Sequence, residues 1–128
     1  MTEDKNEKFG QLRRQLDAQP IMEYEEMALV YFESDKLFFA TSYLPPGTKS
    51  GFDPGHPGAH EVAYCIAGEI VLELGDDKEH AVRLMAGDAF LIEEGVAHTV
   101  YNAGTEQAIV SWSVAPGLNR PLTPLEPN

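Results

Sequence analysis

From residue 21 onward the chain is a succession of short β-type runs broken by turn residues, and this constrains the fold more than any other feature. The runs read "MALVYFE", "KLFFATSYL", "EVAYCIAG", "EIVLEL", "HAVRLM", "DAFLIEE", "HTVYN" and "AIVSWSV". Between them lie "SD", "PPGTKSGFDPGHPG", "GDDKE", "AG", "EGV" and "AGTEQ", which are rich in the Gly, Pro, Asp and Asn that turns require. About eight strands this short and this close together predict an antiparallel sandwich or barrel rather than alternating strands and helices. The sequence holds neither an internal repeat nor a sign of a second domain.

The flanks differ in texture. Residues 3–18 have helical spacing of Phe9, Leu12 and Leu16, weakened by Gly10 and ended by Pro20, so residues 1–20 are expected to form a short helical appendage. The barrel is expected over residues 21–116. Residues 117–128, "GLNRPLTPLEPN", form a Pro-rich tail unsuited to an interior strand.

With 128 residues and 43% apolar content, the chain suits one domain with a true core. No apolar run approaches the roughly 18 residues of a membrane span, and the polar first twenty residues lack the apolar stretch of a secretory signal. Cys65 is the single cysteine, which excludes an internal disulfide and fits a cytoplasmic protein. The formal net charge is −12, and the first twenty residues contribute none of it. Such a surface repels phosphate backbones and anionic lipid, so neither nucleic acid nor a membrane is an expected partner.

Residues 56–61, "HPGAHE", hold two histidines and a glutamate, and the later stretch "GDAFLIEEGVAHTVYN" holds another histidine. In that later stretch Gly87, Gly95, His98 and Asn102 fall on the spacing G-x5-P-x-G-x2-H-x3-N, with Glu93 in the place of the proline. In the earlier one Glu61 and Gly68 match the end of G-x5-H-x-H-x(3,4)-E-x6-G, and His56 stands where its second histidine belongs. The chain thus resembles the cupins over roughly residues 37–115. The resemblance implies an all-β, single-domain jelly-roll β-barrel and a divalent metal on His56, Glu61 and His98. The first histidine of the family pair has no counterpart, because Pro54 occupies its place. Counting forward from Gly47 lands instead on Asp53. Asp53, His60 or a water is therefore expected to complete the set.

Two imidazoles and a carboxylate suit a first-row divalent ion, iron(II) first, with nickel, manganese or zinc as alternatives. If Glu61 points inward, strand alternation turns Ala63 and Cys65 inward too, and sends Val62, Tyr64 and Ile66 outward. The same logic points His60 away from Glu61, unless the Pro57-Gly58 turn breaks the alternation. His80 and the Glu93-Glu94 pair read as solvated turn residues, Cys65 as a small buried hydrophobe, and Trp112, Tyr64 and Tyr101 as packing residues. No further general base and no interior arginine are evident, and Arg83 should face solvent. The expected ligand is therefore a neutral or metal-chelating small molecule. The expected activity is of the dioxygenase, isomerase or lyase kind, the alternative being a cupin that only binds or senses a ligand. The apolar residues of "MALVYF" together with Val62, Tyr64 and Ile66 exceed what one small interior holds, which predicts a homodimer.

Overall fold

The computed structural model describes residues 8–127. Among them are nine strands: β1 (Gln19–Glu23), β2 (Glu26–Glu33), β3 (Phe38–Leu44), β4 (His60–Ala67), β5 (Glu69–Leu74), β6 (His80–Met85), β7 (Ala89–Ile92), β8 (His98–Tyr101) and β9 (Ala108–Ala115). They form two antiparallel sheets, one of order β1-β2-β3-β9-β4-β7 and one of order β6-β5-β8. The last strand lies between β3 and β4, so strands distant in sequence become neighbours.

Alternation explains why these segments pair as they do. Along β3, Phe38, Ala40, Ser42 and Leu44 are buried and the residues between them half-buried; along β9 the buried set is Ala108, Val110, Trp112 and Val114. Each fully buried aliphatic side chain contributes about 1.5–3 kcal/mol relative to exposure. Trp112 joins this interior without an unsatisfied donor, because its Nε1 donates to Ser42 Oγ at 2.7 Å. Two adjoining apolar groups result. One is centred on Ile70, Leu72 and Val110, and the other on Val30, Phe38, Ala40 and Val114.

The N-terminal helix does not form within the described residues. Residues 15–17 make a single 3₁₀ turn, and Gly10 sits at φ 146°, a conformation that stops helix propagation. Phe9 and Leu16 are 80% and 98% exposed, so the stripe that suggested a helix has nothing to pack against. Residues 1–7 of that expectation lie outside the described residues. No helix among the described residues is long and apolar enough to cross a membrane.

The connection from β3 to β4 is less of a loop than its Gly and Pro content suggests. Residues 47–53 run antiparallel beside β8: Gly47 N donates to Asn102 O, Ser50 N to Val100 O and Asp53 N to His98 O, each at 2.9 Å. His98 N returns a bond to Asp53 O at 2.8 Å. This ladder carries the connection to the mouth of the barrel in fixed register.

Candidate metal centre

Four side chains converge from three places in the sequence. Glu61 lies on β4 and points inward with Ala63 and Cys65, while Val62, Tyr64 and Ile66 point outward, as alternation requires. His98 opens β8. Asp53 is delivered beside it by the backbone bridge between the two residues. His56 follows through Gly55, whose φ of 94° and contact with Gly95 leave no room for a side chain, since a Cβ there would lie 2.6 Å from the Gly95 carbonyl carbon.

The donor atoms lie close together. His56 Nε2 stands 3.4 Å from both Asp53 Oδ2 and Glu61 Oε1, and His98 Nε2 stands 3.5 Å and 3.2 Å from the same two oxygens. All four residues are buried or nearly so. The opposite edge of each ring is tied down: His56 Nδ1 lies 3.2 Å from Leu118 O and His98 Nδ1 3.0 Å from Val96 O. A carbonyl beyond Nδ1 fixes the proton there and leaves Nε2 as the ligating nitrogen. The other oxygen of Asp53 accepts from Gly55 N at 2.8 Å and from Arg120 Nη2 at 3.0 Å. Trp112 stacks on His98, with ring centroids 6.1 Å apart.

The electrostatics are those of two carboxylates competing for two imidazoles. Burial alone would lower both histidine pKa values, but Asp53 and Glu61 outweigh it and raise each to about 9. Burial raises the carboxylates, yet the two histidines, and Arg120 at Asp53, hold both below their ordinary values.

The donor set fits a divalent cation. Glu61 Oε1 is buried without a well-directed hydrogen bond although two imidazole nitrogens lie within 3.4 Å. Donor atoms of Asp53, His56 and Glu61 fall within 4.8 Å of one another. Two imidazoles and two carboxylates, with His56, His98 and Asp53 each backed by a further partner, form a set that first-row divalent ions accept.

His60 is not brought to this cluster. Its side chain is exposed, and its Nε2 lies 3.3 Å from Glu93 Oε1 on the outer surface. Alternation places it opposite Glu61, and the Pro57-Gly58 turn does not disturb that. Asp53 is the residue that joins His56, Glu61 and His98. His80 is exposed, Cys65 is buried, and Arg83 pairs with Glu69 toward solvent, each as expected.

Three other residues at the site escaped the sequence reading. A cavity of about 60 Å³ adjoins the four donors, and Glu23, Glu26 and Arg120 line it. Glu26 opens β2 in phase with inward Ala28 and Val30, and burial, assisted by Glu23 and Glu61, raises its pKa to about 8 despite a hydrogen bond from Ser42. Burial likewise raises Glu23 to about 7, against the backbone N–H of Leu125 that its Oε2 accepts at 2.9 Å. The expectation that no second buried acid and no interior arginine exist is therefore overturned. The phase of Glu26 with Val30 was the available signal. It was masked because β2 is apolar on both faces.

The family model for the cupin domain matches residues 40–114. The chain belongs to the cupin domain family. No curated protein sequence matches it. Among solved structures, a predicted oxalate decarboxylase from Thermotoga maritima is similar at 21% identity and a TM-score of 0.70, over 83% of this chain and 99% of that one. An uncharacterized conserved protein with a double-stranded β-helix domain, from Klebsiella pneumoniae, matches at 25% identity and a TM-score of 0.66, over 84% and 86% of the two chains. The iron(II) form of HppE matches at 16% identity and a TM-score of 0.72, over 88% of this cupin and 63% of that chain. These likenesses agree with a jelly roll of two antiparallel sheets.

Proposed function

We propose that this cupin is a metal-dependent enzyme acting on a small organic molecule, with chemistry of the dioxygenase, isomerase or lyase kind. The observation that carries the reading is the clustering of Asp53, His56 and Glu61 donor atoms within 4.8 Å of one another beside a cavity, with His98 Nε2 3.5 Å and 3.2 Å from the two carboxylates. Iron(II) is the ion we favour, ahead of nickel, manganese and zinc, because the donor set is mixed imidazole and carboxylate and the fold is shared with the iron(II) form of HppE.

When bound, such an ion supplies Lewis acidity and exchangeable positions for substrate oxygen, water or dioxygen. The chain's own residues do the rest. Leu118 O and Val96 O orient the imidazoles, while Arg120 and Gly55 N orient Asp53. Ala63 keeps the strand beside Glu61 free of bulk, and Ala28, Val30, Phe38 and Ala40 give the cavity an apolar wall. Metal analysis of protein purified without added metal tests the reading. One equivalent of a divalent ion, lost in His98→Ala with the fold retained, supports it; no tight binding of any first-row ion refutes it. Anaerobic nitric oxide on the iron(II)-loaded protein should give an iron–nitrosyl signal.

A non-catalytic, ligand-binding cupin is the second reading. The two carboxylates and two imidazoles also balance one another's charge as ion pairs, which lets the cluster persist without a cation. Absence of metal together with an intact fold favours it.

We also infer a homodimer across the outer face of the larger sheet, where Tyr64, Ile66 and Leu91 are each more than 40% exposed. A monomeric mass by light scattering at micromolar concentration overturns this. A free Cys65 and the acidic surface suit the cytoplasm.

A further inference from the structure

The hydrogen bonds around Glu26 have a forced direction. An indole N–H can only donate, so Ser42 Oγ accepts from Trp112 Nε1 and its own hydroxyl proton is left to give. It gives that proton to Glu26. One carboxyl oxygen of Glu26 is thereby anchored, while the other, Oε2, is buried with no protein partner. The same cavity is lined by Arg120, whose Nη2 is committed to Asp53 but whose Nε is buried and has no partner. Buried polar atoms left in this state cost about 1–3 kcal/mol each unless something binds them.

We infer that Glu26 Oε2 and Arg120 Nε form an oxygen-binding subsite beside the metal centre, and that its ligand is a small α-keto or α-hydroxy carboxylate. This rests on the metal-dependent reading for the chelating half of the ligand. Arg120 Nε and Glu26 in its acid form both donate to one carboxylate oxygen. Burial, the largest cause of its raised pKa, keeps Glu26 in that form near neutral pH. The two oxygens that remain, one on the carboxylate and one on the α carbon, are then placed to chelate.

Charge and size agree. A divalent ion would neutralise Asp53 and Glu61, and Arg120 adds one positive charge that a monoanion offsets. At roughly 10–15 Å³ per buried water, a cavity of about 60 Å³ admits roughly four to six heavy atoms, which is the size of glycolate or pyruvate.

Titration calorimetry with pyruvate and glycolate, on the metal-loaded and the metal-free protein, tests the subsite. Both acids should bind the loaded protein, and neutral ethylene glycol should bind at least tenfold more weakly. Glu26→Leu should weaken both acids roughly ten- to a hundredfold while metal stoichiometry stays unchanged. Glu26→Gln, whose amide keeps a donor in the same place, should restore most of the loss. In the metal-free protein the acids bind more weakly, with the same dependence on residue 26. The subsite is overturned if Glu26→Leu binds the acids as well as the parent chain in both forms, if Glu26→Gln is as impaired as Glu26→Leu, or if neither acid binds. Failure of the metal-dependent reading shows separately, as lack of metal uptake by the parent chain.

Discussion

In one part of the barrel interior Ile70, Leu72 and Val110 are sealed from water among apolar neighbours; in the other, Asp53, His56, Glu61, His98 and Glu26 surround a cavity. The first part is held by strand ladders and shape alone. The second needs tethers from outside the sheets, since three of its four donor side chains are oriented by loop or tail atoms: His56 by Leu118 O, His98 by Val96 O, and Asp53 by Gly55 N and Arg120 Nη2. Stability and metal binding should therefore separate by region. A substitution in the apolar part lowers the first and spares the second, and one among the tethers does the reverse.

The largest effect should come from His98→Ala, which removes one of the proposed ligands outright. Metal affinity should fall by more than roughly a hundredfold, since losing a group that merely orients a ligand already costs up to that much. Calorimetric titration of zinc or iron(II) measures it, and a fall below tenfold would mean that the four donors do not act together.

Leu72→Ala makes the opposite case. It should cost about 2–5 kcal/mol of unfolding free energy in urea, while the folded fraction retains parental metal affinity. A matching drop in affinity would show that the two regions are mechanically coupled.

Arg120→Met sharpens the comparison, because the tail that bears this residue contains no regular strand. Releasing Asp53 should reduce metal affinity roughly ten- to a hundredfold.

Glu26 links the two regions through pH. Its pKa rises from the ordinary 4.5 to about 8 on folding, so between these values the unfolded chain has released a proton that the folded chain retains. Glu26's contribution to the stability of the metal-free protein should consequently fall as pH rises from about 4.5 to about 8, and His56 and His98, raised from 6.5 to about 9, continue the fall to about pH 9. Glu26→Gln should remove that part of the slope and be more stable by roughly 1–3 kcal/mol at pH 8. Equal pH slopes for the two proteins in urea titrations would disprove the burial of this acid.

The smallest change is expected at His60→Ala. An exposed pair with Glu93 contributes at most about 1 kcal/mol, and metal affinity should stay within twofold.

Much of the site is legible in the sequence. The spacing of Glu61, Gly68, Gly87, Gly95, His98 and Asn102 points to the family. Strand alternation then puts Glu61, Ala63 and Cys65 on one face and His60 on the other. It does so because period-2 geometry is local and β4 is long enough to enforce it. The choice between Asp53 and His60 is not legible, since it depends on a connection that pairs with β8 much farther along the chain. Glu26 is hidden by apolar residues on both faces of its strand. Arg120 is hidden because a Pro-rich tail has no periodicity to read.

The sequence by itself determined the eight strands after β1, the buried face of β4, and the identity of three of the four clustered donors; β1 (Gln19–Glu23) went unread across the boundary of the expected helical appendage. Those properties follow from side-chain alternation and turn chemistry within a few residues. Tertiary structure alone decided that Asp53 joins the cluster, that Leu118, Arg120, Leu122 and Leu125 wall the cavity, and that Glu26 and Arg120, each with a buried partnerless atom, line it too. Each of these depends on bringing segments far apart in the chain into contact, and nothing in the local sequence encodes where such segments meet.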